Sequence, residues 1–468
     1  MRYLLLSLAI SAAAALGAQR PPNVIVVLAD DLGYGDLSAY GSPSVRTPHI
    51  DQLIREGVRC TDAYAFPTCS PSRAALLTGQ VPPRVGIPRV VGPPGPKWTT
   101  ERQYGLHADS TTTIAEVLRD AGYATGLIGK WHLGHFPETG PLRHGFDEYF
   151  GLPYSSDMLP PGYPGLPVLR GESVAQRNPD LDTLTAAYHR EALDFIHRHR
   201  ARPFFLYLAH HLPHVPLAGD TAFAKTTSRD RDGGRTRYAE IVAEIDEGVG
   251  RLTAKLEALG LAERTLVVFA SDNGPWLVFG HHAGSAGPFR EGKATSFEGG
   301  VRVPMVWRWP GVLPEGAAYG GVTGLLDVLP TVATWAGARV PSGLDGRDVG
   351  AGLRGATAGL GEGPTDAAAY ARPHYYWREG RLEAVREGRW KLHRPHAYNA
   401  VARPGREGAH GTHRADSIAR ALFDVLADPG ERYDVLGEYP EVAADLEVLA
   451  QAHEADVAAR RVGAWREE

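Results

Sequence analysis

Four short apolar runs, each ending in a cluster of polar side chains, constrain this chain more than any other feature. "NVIVVLADDLG" is apolar from Val24 to Leu28 and then meets Asp30 and Asp31; "TLVVFASDNG" is apolar from Leu266 to Ala270 and then meets Asp272 and Asn273. "PFFLYLAHHLPHVP" runs from Phe204 to Leu208 into His210, His211 and His214, and "YATGLIGKWHLG" ends near Ile128 before Lys130 and His132. Such runs read as buried strands. Between them lie helical stretches: "TPHIDQLIREG" with Thr47 before Pro48, "TTTIAEVLRDAG" closing on Gly122, and the long amphipathic "YAEIVAEIDEGVGRLTAKLEALG". The alternation predicts an α/β fold, a large mixed and mostly parallel sheet flanked by helices. Parallel sheets carry their sites at the carboxyl ends of strands, so the four polar clusters are expected to converge at one edge.

After "GLLDVLPTVATWAGA" the composition turns glycine-rich through "GRDVGAGLRGATAGLGEGPT", which reads as a domain junction. The expected division is a catalytic domain over 19–360 and a small C-terminal α+β domain over 361–468, with a hairpin-like "RLEAVREGRWKLHR" and a long terminal helix in "YPEVAADLEVLAQAHEADVAARR". Residues 1–18 have the form of a secretory signal peptide: one arginine, an apolar run from Tyr3 to Leu16, then small residues at Ala15, Gly17 and Ala18. No cysteine directly follows that run, which argues against a lipoprotein anchor, and no later apolar stretch has membrane length, so a periplasmic or secreted protein without a membrane anchor after signal cleavage is expected. A net charge of −5 argues against nucleic-acid or anionic-membrane partners that bind through bulk charge. An anionic ligand must meet locally clustered cations.

Two acid pairs at two strand ends, Asp30 with Asp31 and Asp272 with Asn273, offer hard oxygen donors that suit Ca²⁺ or Mg²⁺ better than zinc. Arg73, Lys130 and Lys293 are the candidate anion clamp; Lys293 lies in "REGKATSFEGGVRVP", among glycines that permit close backbone approach. His132 and His214 are the candidate proton-transfer groups. The chain has two cysteines, Cys60 and Cys69, near enough in sequence for a disulfide. Pro71, Ser72 and Arg73 before "AALLTG" point instead to a helix start with Cys69 just outside its first turn, a place that favours oxyanions. A cysteine-protease reading leaves the paired carboxylates unexplained.

The segment "CSPSRAALLTG", together with "PPNVIVVLADDLGYGDLSAYG", "GKWHLG", "SDNGP" and "FEGGVRVPMVWRWPG" in this order, resembles the signature blocks of the type I, formylglycine-dependent sulfatases, in the pattern of the arylsulfatase A and N-acetylgalactosamine-6-sulfatase branch. The likeness runs from Pro21 through Gly311, with a weaker echo in "LFDVLADPGERYDVL". It implies the alkaline-phosphatase-like sulfatase fold with a small C-terminal domain. It also implies that a formylglycine-generating enzyme oxidises Cys69 to Cα-formylglycine before folding, leaving Cys60 a lone buried thiol. By the same resemblance Asp30, Asp31, Asp272, Asn273 and modified Cys69 bind one Ca²⁺. Arg73, Lys130, His132, His214 and Lys293 hold the sulfate and move protons, and Ser155, in "GLPYSSD", lies where relatives place a further polar group. His214, with Lys293 nearby, is implied to protonate the leaving group. His132 takes the proton whose loss from the sulfated diol expels sulfate.

The implied substrate is a small-molecule or carbohydrate sulfate ester. The alternative is a phosphodiesterase or phosphonate monoester hydrolase using the same formylglycine and metal. Few cysteines distinguish the chain from disulfide-rich lysosomal relatives and suggest a bacterial exported homologue. The stretches 89–105, 158–180 and 393–416 match no family block and are expected to wall the substrate pocket.

Overall fold

The computed structural model describes residues 21–93, 104–160, 162–218, 233–358 and 371–461. The expected signal peptide and much of 89–105 and of the glycine-rich junction lie outside the described residues. The four apolar runs are strands β1 (Asn23–Ala29), β2 (Ala124–Gly129), β3 (Phe204–Ala209) and β4 (Thr265–Ser271). They are neighbours at the centre of an 11-stranded sheet, in the order β4-β1-β3-β2, all parallel. The strand Glu148–Gly151 extends the parallel block beyond β2. Antiparallel strands flank it: Met305–Arg308 pairs with β4, and Pro167–Arg170 pairs with Glu148–Gly151.

The reason the centre is parallel lies in burial on both faces. Val24, Val26 and Leu28 of β1 pack with the helices that hold Leu76, Ile114 and Leu329, whereas Ile25 and Val27 pack with those that hold Leu53, Phe195 and Val242. All five β1 residues have 0% exposure, and each such burial is worth about 1.5–3 kcal/mol. A central strand can use both faces in this way only if helices cover each side of the sheet.

Register then aligns the strand ends. Leu28 lies opposite both Ala209 and Ala270, and Gly129 lies opposite Ala209, so Asp30, Lys130, His210 and the Asp272 pair emerge at one level. Gly129 is required there: its φ is +116°, and a Cβ would lie 1.8 Å from the Ala209 carbonyl oxygen.

The C-terminal part forms a four-stranded antiparallel sheet of His374–Arg378, Arg381–Glu387, Trp390–His393 and Ala421–Asp424, backed by the helix Pro440–Ala459. Leu382, Leu392 and Leu422 share a core with Leu446 and Ala450 of that helix, and with Phe66 and Ala75 around Cys69. The stretch 158–180, expected as a pocket wall, contains a hairpin, Pro167–Arg170 with Ser173–Arg177, that extends the edge of the main sheet. Its residues find backbone partners beside Glu148–Gly151, which a reading of composition alone does not reveal. Among the described residues no helix is long and apolar enough to cross a membrane.

Candidate active site

The predicted site residues gather at the carboxyl edge of the central strands, in loops packed against it and, for Cys69 and Arg73, in a helix beside it. Cys69 is the first residue of helix α1 (Cys69–Thr78), with Thr68 as N-cap, so it lies inside the first turn rather than just before it. Cys69 and Cys60 are both buried and both free; no disulfide joins them. Burial pushes the Cys69 thiol up to about 11, against the pull of Lys130 and Lys293.

Arg73, one turn into α1, is fully buried and its nitrogens bond to protein groups. Nε and Nη2 reach Asp272 Oδ2 at 3.0 and 2.9 Å, Nη1 donates to the Lys130 carbonyl at 2.7 Å, and Nη2 reaches the His210 carbonyl at 3.4 Å. The sequence groups Arg73 with the anion clamp. In the structure it holds Asp272 and the Lys130 backbone.

Lys130 Nζ lies 2.5 Å from Asp30 Oδ2 and donates to Ser155 Oγ at 3.1 Å, which brings Ser155 into the site. Lys293 Nζ lies 2.7 Å from Asp31 Oδ1. Its backbone N–H donates to the Pro275 carbonyl at 2.9 Å, and a Cβ on neighbouring Gly292 would lie 2.4 Å from that oxygen, the close approach expected of these glycines. Burial would depress Lys293, but Asp31, Cys69 and Asp30 hold it above its usual value.

His214 donates from Nδ1 to the Val215 carbonyl at 2.6 Å, and its Nε2 lies 3.6 Å from Asp31 Oδ2. A carbonyl accepts only, so in the neutral ring Nδ1 carries the proton and Nε2 is the free lone pair. His132 has a φ of +62°, is buried, and has neither ring nitrogen hydrogen-bonded. Burial, with Lys130 and Arg73, holds it well below the usual histidine range, which favours the neutral ring.

The acid cluster fits a hard cation. Among the described residues two groups of metal-ligating side chains converge within 4.8 Å, Asp30 with Asp31 and His214, and Asp30 with Cys69 and Asp272. Asp30 Oδ1 and Asn273 Oδ1 are buried without a hydrogen-bond partner, and a metal ion is the partner such oxygens suit. Burial raises Asp30, but Lys130, His214, Arg73 and Lys293 outweigh it and hold Asp30 well below the usual carboxylate range. Asp272 is lifted to about 7 by burial and by repulsion from Asp30, despite Arg73. The protein's own cations therefore do not fully satisfy Asp272.

Residues 22–338 match the Sulfatase family, and residues 370–463 match the C-terminal region of aryl-sulfatase. The chain belongs to the sulfatase family. It is 38% identical to arylsulfatase A of Bos taurus over 93% of this chain and 88% of that protein. It is 37% identical to N-acetylgalactosamine-6-sulfatase of Canis lupus familiaris, over 96% of this chain and 89% of the relative. Among solved structures, the PsFucS1 sulfatase from Pseudoalteromonas sp. superposes with a TM-score of 0.78 at 27% identity, covering 95% of this chain and 92% of that one.

This sulfatase also has a site residue that sequence reasoning missed. Trp276, three positions after Asn273, has Lys293 Nζ over its ring at 4.6 Å and the His214 ring at 5.5 Å. Behind it, His410 packs against Trp276 and Phe279, at 6.0 and 5.1 Å. His410 belongs to the tip between the strands His396–Arg403 and Thr412–Ile418, where Gly405 and Gly411 both donate to the Val278 carbonyl. Of the stretches without a family block, 393–416 thus does reach the site. The only sequence signal for Trp276 is a bulky aromatic directly after "SDNGP".

Proposed function

We propose that this sulfatase hydrolyses an O-sulfate ester of an aryl alcohol or a carbohydrate, with Cys69 converted to Cα-formylglycine and one Ca²⁺ held by Asp30, Asp31, Asp272, Asn273 and residue 69. The observation that carries the reading is the convergence of Cys69, three buried carboxylates and the cations Arg73, Lys130 and Lys293 at one edge of the sheet. When present, the hydrated aldehyde supplies a hydroxyl nucleophile, and the ion supplies the charge that lowers that hydroxyl's pKa. Cys69 is 2% exposed, so a separate formylglycine-generating enzyme reaches it only before the chain folds.

The chain's own side chains bind, orient and move protons. Lys130 and Lys293 neutralise the ester oxygens and the charge that develops on them. Their replacement by alanine is expected to lower kcat/KM by at least about tenfold each, since a charge-assisted contact in a dry site exceeds 1.4 kcal/mol. Wild-type kinetics in both variants would show that neither ammonium touches the ester. His214, fixed through Nδ1, presents Nε2, 3.6 Å from Asp31 Oδ2, as the atom that delivers a proton to the departing oxygen. His132 accepts a proton when the residue-69 group is regenerated.

Charge balance supports an anionic ester. Asp30, Asp31 and Asp272 offset Arg73, Lys130 and Lys293, so a divalent ion together with a protonated His214 leaves the site net positive. A sulfate monoester is singly charged, whereas a phosphate monoester at neutral pH carries a second charge, which is worth about 4 kcal/mol at 4 Å in such a site. Turnover of 4-nitrophenyl sulfate is expected to exceed that of 4-nitrophenyl phosphate by at least about a hundredfold. Bis(4-nitrophenyl) phosphate, also singly charged, is the third substrate of the comparison, and a higher kcat/KM for it than for the sulfate would move the assignment to a phosphodiesterase. Mass spectrometry of the segment from Cys60 to Arg73 tests for the aldehyde itself.

A further inference from the structure

The loop that carries Lys293 is fastened on two sides. On the inner side Lys293 donates its N–H to the Pro275 carbonyl, and Ala294 donates to the Pro67 carbonyl at 2.7 Å, two residues before Cys69. The loop closes on itself through Gly299 N–H to the Arg290 carbonyl at 2.9 Å and Thr295 Oγ to the Gly292 carbonyl at 2.8 Å. Glu291 and Ala294 sit at φ of +58° and +68°, a conformation that non-glycine residues hold only when their surroundings impose it.

The outer side is held by the C-terminal sheet. Lys391, on the strand Trp390–His393, is fully buried, and its three donors have three acceptors: the Ser296 carbonyl at 2.8 Å, Glu298 Oε1 at 3.0 Å and Glu431 Oε1 at 2.9 Å. Glu431, also buried, accepts the Glu298 backbone N–H on Oε2 at 2.7 Å, and its own carbonyl accepts from Arg290 Nη1 at 3.0 Å. Ser296 Oγ donates to Glu383 Oε2 at 2.7 Å. Taking an ammonium and two carboxylates out of water is a poor source of stability compared with apolar side chains of the same size. What the cluster contributes is one defined arrangement of the segment from Arg290 to Glu298.

We propose that Lys391 is a positioning residue of the active site, holding the loop of Lys293 through Ser296 and Glu298 so that the C-terminal sheet sets where the Lys293 ammonium sits. The inference rests on the proposed function in giving Lys293 a part in the reaction. Two measurements on Lys391→Met test it. In amide exchange, protection in residues 290–300 is expected to fall by about tenfold or more while β1 and β4 keep theirs. In kinetics, Lys391→Met is expected to lower kcat/KM by about tenfold in the wild-type background and by less than about twofold in Lys293→Ala, because its effect passes through that ammonium. Should Lys391→Met not fold, Glu431→Gln keeps the shape of the cluster and is read in the same two ways. Unchanged exchange in 290–300, or an equal kinetic cost with and without Lys293, would overturn the proposal. The exchange measurement does not depend on the reaction, so a protein that loosens as described but does not cleave aryl sulfate counts against the functional reading and for the clamp.

Discussion

A Cys69→Ser enzyme that remains unmodified is expected to release at most one leaving group per active site and then to stop, with sulfate held as a stable ester on residue 69. The hydroxyl at the start of α1 stands where Lys130 and Lys293 act on Cys69 and where the acid cluster converges, so transfer of the sulfuryl group to it is possible. Its oxygen gives up its proton to a carboxylate of the acid cluster and bonds to sulfur, the bond from sulfur to the leaving oxygen breaks, and His214 supplies the proton to the alcohol. Release is the step that fails. With one hydroxyl the side chain cannot eliminate sulfate, and direct attack of water on an alkyl sulfate is slow. Intact-protein mass spectrometry after substrate addition should show a persistent adduct in Cys69→Ser and none in Cys69→Ala. Sustained multiple turnover by verified, unmodified Cys69→Ser would sink the mechanism, and attack by water on the ester would then be the better account.

The second large effect is expected on removal of divalent metal. Stripping the protein with a chelator should reduce turnover by at least about a hundredfold, since one oxyanion-stabilising interaction alone accounts for about that much. It should also lower Tm by about 3 °C relative to protein in Ca²⁺ at a hundred times its Kd, the shift that about 2.7 kcal/mol gives in a chain of this length. The structural reason is the raised Asp272. Without a cation, Asp30, Asp31 and Asp272 share three protein cations across a buried space, and Asn273 Oδ1 has nothing to bind. Asp31→Ala removes one donor and frees Lys293, so its Tm should no longer respond to Ca²⁺. Metal-free protein with unaltered turnover and unaltered Tm would show that the cluster is only an ion-pair network.

The four central strands, their helices and the sheet edge where the candidate residues gather were legible in the chain alone. Each of those signals is local: an apolar run followed by polar residues, "TTTIAEVLRDAG" closing on Gly122, and Thr47 set before Pro48. Local signals survive because near neighbours in the chain carry them. The family blocks carry the candidates Cys69, Asp30, Asp272 and Lys130 for the same reason, as contiguous motifs.

Relations between residues far apart in the chain appear only on folding. Arg73 bonds Asp272 across 199 positions, a contact that no local motif announces. Trp276 meets Lys293 and His214, and Lys391 meets Glu298 across 93 positions, although in sequence the first looks like a stray aromatic and the second like a surface lysine. The stretch 158–180 became sheet edge because Glu148–Gly151 had an unpaired side to offer. A buried charge or an edge strand is stable only with its partner in place, and folding, not sequence proximity, supplies that partner.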